Sequence, residues 1–278
     1  MYKERNFKSW RELKNFLSSF NSNWSFRGQT DYKWKLESAI DRVSFNTELP
    51  NQKYLFEQFC IIHFKRNPHL YSEKFNTQSD FQVLSLLQHY GSPTRLLDFS
   101  TSPYVAAFFA ANNSENDGSI YAINYVELLS PTNYLFGTKY DDGSDEMNNL
   151  KKTDGISNDD VFKVLVLGSE QRKFVELVQP FFLFDRMIQQ NGAFLCQGDI
   201  NSSFEQNLKS NYEFLSSLEN PNPYYKIRIK HEWKSEIIRD LFSMNISSAT
   251  LFPDIEGYLK SLKNKFEIYT QDTSSAKC

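Results

Sequence analysis

The sequence predicts an α+β domain, and three observations carry that expectation. Amphipathic helical segments and short strand-like runs follow one another irregularly, without the strict strand–helix repeat of a doubly wound fold. Of the 278 residues, 40% are hydrophobic, enough to bury a sizeable core. Aromatic residues reach 16%, with 25 Phe and 15 Tyr, a composition far from that of a disordered chain. Residues 1–278 are expected to form a single domain, with 137–160 as a polar loop or insertion and 268–278 as a flexible tail.

The elements follow from local signals. "SWRELKNFLSSF" opens on a capping box, Ser9 and Glu12, and places Trp10, Leu13, Phe16, Leu17 and Phe20 on one helical face. "NWSFRGQ" reads as a strand in which Gly28 ends the strand or admits a close neighbour. "KYLFEQFCIIHF" reads as a mostly buried helix with His63 in the core, and "SDFQVLSLLQHYG" as a helix capped by Ser79 and closed by Gly91. After "SPT" comes a short strand, "RLLDF". Ser102 before Pro103 then marks the N-terminus of a buried helix, "PYVAAFFAA". "GSIYAINY", "VFKVLVLG", "KFVELVQP", "AFLCQG" and "YYKIRIKH" have strand character, with a helix as the alternative for "KFVELVQP". "DRMIQQNG" is a helical turn, "WKSEIIRDLFSMN" an amphipathic helix, and "LFPDIEGYLKSLKNKF" a last helix entered through Pro253.

Composition excludes several classes of function. A net charge of -3 supplies no global basic field for nucleic acid or anionic membrane. Cys60, Cys196 and Cys278 are far apart and odd in number, against a disulfide framework or a zinc site. The four histidines do not fall at metal-ligand spacing, so no metal is expected. Phosphate-loop, dinucleotide-loop, zinc-protease and nucleophile-elbow motifs are absent. The start "MYKERNFKSW" has no apolar leader and no apolar run is long enough to span a bilayer, so a soluble, cytoplasmic protein without membrane association is expected.

The chemistry crowds into "LLQHYGSPTRLLDFSTSPYVAAFFAA". Gln88, His89, Arg95, Asp98, Ser100, Thr101 and Ser102 lie between two apolar flanks. Each has a structural role open to it: Ser102 as a helix cap, Ser100 and Thr101 as turn residues, His89 at a helix C-terminus. Asp98 between Leu97 and Phe99 is expected to face inward and accept hydrogen bonds from Arg95 or neighbouring backbone groups, because a buried carboxylate needs partners. The density of polar groups raises a site above those separate roles. A His89–Asp98–Ser100 hydrolytic triad is a third reading, for which the chain supplies no strained elbow or oxyanion glycines.

"FRGQ" (26–29), "LESAIDR" (36–42), "QHYGSPTRLLDFSTSPYVAAFFA" (88–110), "RMIQQNGAF" (186–194) and "LFPDIEGY" (251–258) resemble the FRG domain family, in that family's order. One departure is "DFS", where the family more often has Asp-Trp-Thr. A more distant resemblance is to ADP-ribosyltransferases of the arginine–serine–glutamate type. It implies a split mixed sheet surrounded by helices, with Arg27 and Gly28 on one strand and Ser100-Thr101-Ser102 after the next, converging on one cleft. NAD is then the implied substrate, for ADP-ribose transfer or hydrolysis, in a setting such as bacterial defence or a toxin system. Arg27, Gly28, Arg95, Ser100, Thr101 and Ser102 are the implied nucleotide-binding residues, and His89, Gln190 and Glu256 the candidates for the catalytic groups. The physical logic is that bond cleavage at the ribose develops positive charge, which a carboxylate stabilises while an arginine holds the phosphates. The alternative is a non-enzymatic module that binds a nucleotide, a nucleic acid or a protein in the same cleft; a transferase would take a protein or nucleic acid as acceptor.

Overall fold

A computed structural model describes residues 1–45, 50–67, 79–112, 115–128, 159–169, 171–180, 183–217 and 224–275. The fold is α+β. Strands β1 (Tyr2–Arg5), β2 (Trp24–Gln29), β3 (Leu96–Ser100), β4 (Gly118–Asn124), β5 (Val175–Val178), β6 (Gly192–Gln197) and β7 (Tyr224–Ile229) form one seven-stranded mixed sheet in the order β1-β7-β4-β2-β3-β6-β5. The β1–β7 pair is parallel and the remaining pairs are antiparallel.

The sheet is narrowly joined at its middle. β2 pairs with β4 along its whole length, from Trp24↔Asn124 to Gln29↔Ser119, and β3 does the same with β6. Between β2 and β3 the ladder holds a single register pair, Phe26↔Ser100. Continuing that register would set Gly28 opposite Asp98, and there the pairing has stopped.

Helices cover both faces. Helix α1 (Trp10–Leu17), α4 (Pro103–Ala111) and α8 (Lys234–Ser243) pack with Phe26, Ile120, Ala122 and Ile227 in one core. On the same face of the other half-sheet, α2 (Gln52–Lys65), α3 (Asp80–His89), α5 (Asp159–Leu165) and α6 (Asp185–Gln189) enclose Leu96, Phe194 and Cys196. The opposite face is covered by α7 (Phe204–Ser216) and Leu36, packed on Leu97, Phe99, Tyr121, Ile123 and Leu195. Side chains alternate across a strand, so neighbouring residues of β2, β3 and β4 belong to different cores. Helix α9 (Ser248–Leu251) and the long α10 (Ile255–Ser275) complete the chain.

Local caps explain most helix boundaries. The hydroxyls of Ser9, Ser79, Ser102, Ser203 and Ser247 each accept a backbone N–H from the first turn of their helix. Gly91 ends α3 at φ 85°, with Gly91 N–H donating to Gln88 and Ser92 N–H to Leu87, a Schellman closure. At Ser9 the reciprocal half of the box is displaced: the Glu12 carboxylate accepts from the Lys8 amide.

Several expectations need correction. The first part of "VFKVLVLG" is helical, as the end of α5, and Phe162, together with Val166 just beyond the helix, packs against α3, with Phe162 stacked on Phe81 at 4.5 Å. Helix α2 is far from mostly buried: Leu55, Phe59 and Ile62 are exposed, and so is His63, which stacks on Phe59. Helix α7 and strand β1 were not anticipated, although Ser203 and Gln206 form a full capping box ahead of Phe204, Leu208 and Leu215. The loop expected over 137–160 lies outside the described residues except for 159–160, which begin α5; the α10 backbone continues to Ser275, through most of the expected tail. Among the described residues no helix is long and apolar enough to cross a membrane.

Candidate functional site

The place where the β2–β3 ladder stops is filled by side chains. Arg27 projects from β2 and donates Nη1 to the Asp98 carbonyl at 2.6 Å, in place of the strand amide that a continuing ladder would supply. Its Nε is buried and has no acceptor. Burial pulls the guanidinium pKa below its ordinary value; the Asp98 carboxylate opposes that and the neighbouring Arg42 guanidinium adds to it. Arg42 is exposed and donates Nη1 to the Glu37 carbonyl. Two guanidinium groups that repel one another, one with an unused buried donor, form an anion-seeking pair.

Asp98 is exposed, a correction to the inward-facing carboxylate expected from the leucines around it. It is still on the face opposite to Leu97 and Phe99, as strand alternation requires, but that face is open between the two helix clusters. Its carboxylate accepts from Gln88 Nε2 at 2.9 Å, and Gln88 Oε1 accepts from Thr94 Oγ1 at 2.5 Å. Thr94 Oγ1 in turn accepts the Leu96 amide. The end of α3 is thereby tied to the start and the middle of β3.

His89, in the last turn of α3, is half-buried and stacks on Phe184 with ring centroids 4.6 Å apart. Burial, and then the positive charge of Arg186, hold its imidazole below the ordinary pKa, while Asp98 pushes the other way. Tyr90 beside it is exposed and meets the His89 ring edge-on. Aromatic surface and charge thus lie next to Asp98.

Other sequence candidates have structural duties. Arg95 is wholly buried, with Nε and Nη2 on the Glu57 carboxylate and Nη1 on the Val166 and Gly198 carbonyls. Burial works against its charge, but Glu57 more than offsets this and raises its pKa. It cannot touch a ligand, and its partner is Glu57, not Asp98. Ser100, the register partner of Phe26, is buried, and its side chain is engaged within the fold. The Ser100 hydroxyl donates to the Gln190 carbonyl and accepts the Ser102 amide. Thr101 bonds the Asn191 carbonyl through both its amide and its hydroxyl, and Ser102 caps α4.

Gly28 faces Ala106, where a Cβ would come 1.9 Å from the carbonyl oxygen; its space is taken by α4, not by a ligand. Gln190 donates its side-chain amide to the Leu251 carbonyl and so pins α6 to α9. Glu256 lies on the outer surface of α10, paired with Lys260 four residues on. Both side chains are engaged in these structural contacts.

Arg27, His89, Asp98 and Gln88 thus gather near this junction, and Arg42 and Arg186 act on it electrostatically. The last two sat inside "LESAIDR" and "RMIQQNGAF", and nothing in their local spacing marked them. Among the described residues no group of three or more His, Cys, Asp or Glu is placed to hold a metal ion.

The model of the FRG domain matches residues 22–119. This segment is similar to the FRG domain family. It runs from just before β2 to the start of β4 and contains Arg27, Arg42, Gln88, His89 and Asp98, the residues drawn together at the strand junction. Arg186 and Phe184 lie beyond the matched span and reach the same place from α6 and its N-cap. No curated protein and no solved structure matches the chain.

Proposed function

We propose that the FRG-like segment of this chain is a binding module for a nucleotide-class anion, held at the β2–β3 junction. The observation that carries this reading is Arg27, whose buried Nε lacks an acceptor while Arg42 stands close enough to depress its pKa. A phosphate would satisfy the free donor and relieve the repulsion between the two guanidinium groups. The Asp98 carboxylate suits ribose hydroxyls, and the exposed Tyr90 ring offers stacking surface beside His89. Calorimetric titration of the full chain with ADP, ADP-ribose and NAD tests it. Binding that weakens with salt and is lost in Arg27→Ala supports the proposal; no binding of any of the three overturns it.

A catalytic version of the same site has one observation in its favour. Asp98 is an exposed carboxylate beside His89 and Arg27, which is what stabilisation of a ribosyl cation at an NAD site would need once Glu256 and Gln190 are assigned elsewhere. Nicotinamide release from NAD that falls on the order of a hundredfold in Asp98→Asn supports that version. NAD binding without nicotinamide release leaves the domain a binding module.

A further inference from the structure

Helix α10 is attached to the body by its smallest residues. Gly257 and Ser261 are buried and Asn264 is partly buried, and a Cβ on Gly257 would come 2.2 Å from the Phe252 carbonyl oxygen. The large apolar residues point the other way. Ile255 is 77% exposed, Leu259 56%, Leu262 41% and Phe266 68%. At about 100° per residue, this stripe lies on the side of the helix opposite to Gly257 and Ser261. No surface helix that merely covers its own core has a reason to place its apolar seam outward in this way.

The spacing of the stripe is that of a coiled-coil seam. Ile255, Leu259, Leu262 and Phe266 take positions d, a, d and a of a heptad, and the intervals of four, three and four read the same in both directions. An antiparallel pair of identical helices then forms matched layers, with Ile255 of one copy against Phe266 of the other and Leu259 against Leu262. The flanking charges choose between orientations. In the antiparallel pair the e positions face one another, so Glu256 of one copy lies beside Lys263 of the other, twice by symmetry. In a parallel pair the flank of this segment would bring Tyr258 to Lys263 and no acid to a base. We infer that α10 is the dimerisation element of this chain and joins a second copy through an antiparallel, two-fold helix pair.

Sedimentation equilibrium of the full chain tests this. The wild type is expected to dimerise in the micromolar range, and Leu259→Glu with Leu262→Glu to be monomeric with the melting temperature of the wild type measured at dilutions where it too is monomeric, since both side chains face solvent in the single chain. Lys263→Glu alone should weaken the dimer several-fold at low salt, and Glu256→Lys added to it should restore the wild-type constant. A wild type that stays monomeric at every concentration, a dimer that survives the double leucine substitution, or a charge reversal that fails to restore affinity would each overturn the proposal.

Discussion

Arg95 and Glu57 form a fully enclosed ion pair across 38 residues of sequence, with Arg95 Nη2 2.5 Å from Glu57 Oε2 and side-chain exposures of 0% and 1%. The pair joins β3 to α2, and through the Val166 and Gly198 carbonyls it also holds the end of α5 and the turn after β6. The long arm of an arginine thereby fixes four pieces of chain around the half-sheet that carries Asp98.

Breaking that pair is expected to unfold the domain before it alters any ligand contact. Glu57→Gln should cost about 3–5 kcal/mol, because it strands a buried guanidinium. Removing both partners as Arg95→Met with Glu57→Leu should cost less than the sum of the single changes. Urea unfolding of the four proteins measures both the loss and the coupling.

Arg27 should behave in the opposite way. Arg27→Lys keeps the charge and loses the planar fork, so nucleotide affinity should fall about tenfold or more, roughly 1.4 kcal/mol. Stability should change on the order of 1 kcal/mol, the worth of the exchanged hydrogen bond to the Asp98 carbonyl. Paired titration and melting experiments separate the two; a large melting-point drop with affinity intact would give Arg27 a structural role alone.

His89 predicts a pH dependence with a definite sign. Its folded pKa lies below the ordinary imidazole value of about 6.5, so between the two values the unfolded chain binds the extra proton. Its contribution to stability is complete above the ordinary value and is lost as pH falls through it toward the folded one. An anion bound beside His89 would raise the folded pKa, so nucleotide affinity should increase between pH 7 and 6. His89→Gln should flatten both profiles, measured as denaturation midpoint and dissociation constant against pH.

Gly28→Ala should be strongly destabilising, although it adds a single methyl group. The new Cβ would meet a helix carbonyl rather than a movable side chain, placing the cost at or above the upper end of the roughly 1–3 kcal/mol typical of overpacking. Chemical denaturation tests this. A mild effect would mean that α4 can retreat from β2.

Asp98→Asn should leave stability within about 0.5 kcal/mol, as for other exposed substitutions, since its carboxylate faces solvent. Binding should weaken if the carboxylate holds ribose hydroxyls. Ligand titration beside a melting curve distinguishes the two effects.

The sequence by itself determined the α+β class, the serine caps at 9, 79 and 102, and the glycine closure at 91. These depend on hydrogen bonds and periodicity within a few residues, which a linear reading contains. Only the tertiary structure decided which arginine is bound and which is available. Arg95 is locked by Glu57, Val166 and Gly198, and Arg27 is left with a free donor where one ladder ends. It also decided that "VFKVL" is helical, since the core formed with Phe81 outweighs the strand preference of its valines. Burial and partner choice belong to contacts tens of residues apart, so identical local chemistry can brace a core at one position and leave a donor unused at another.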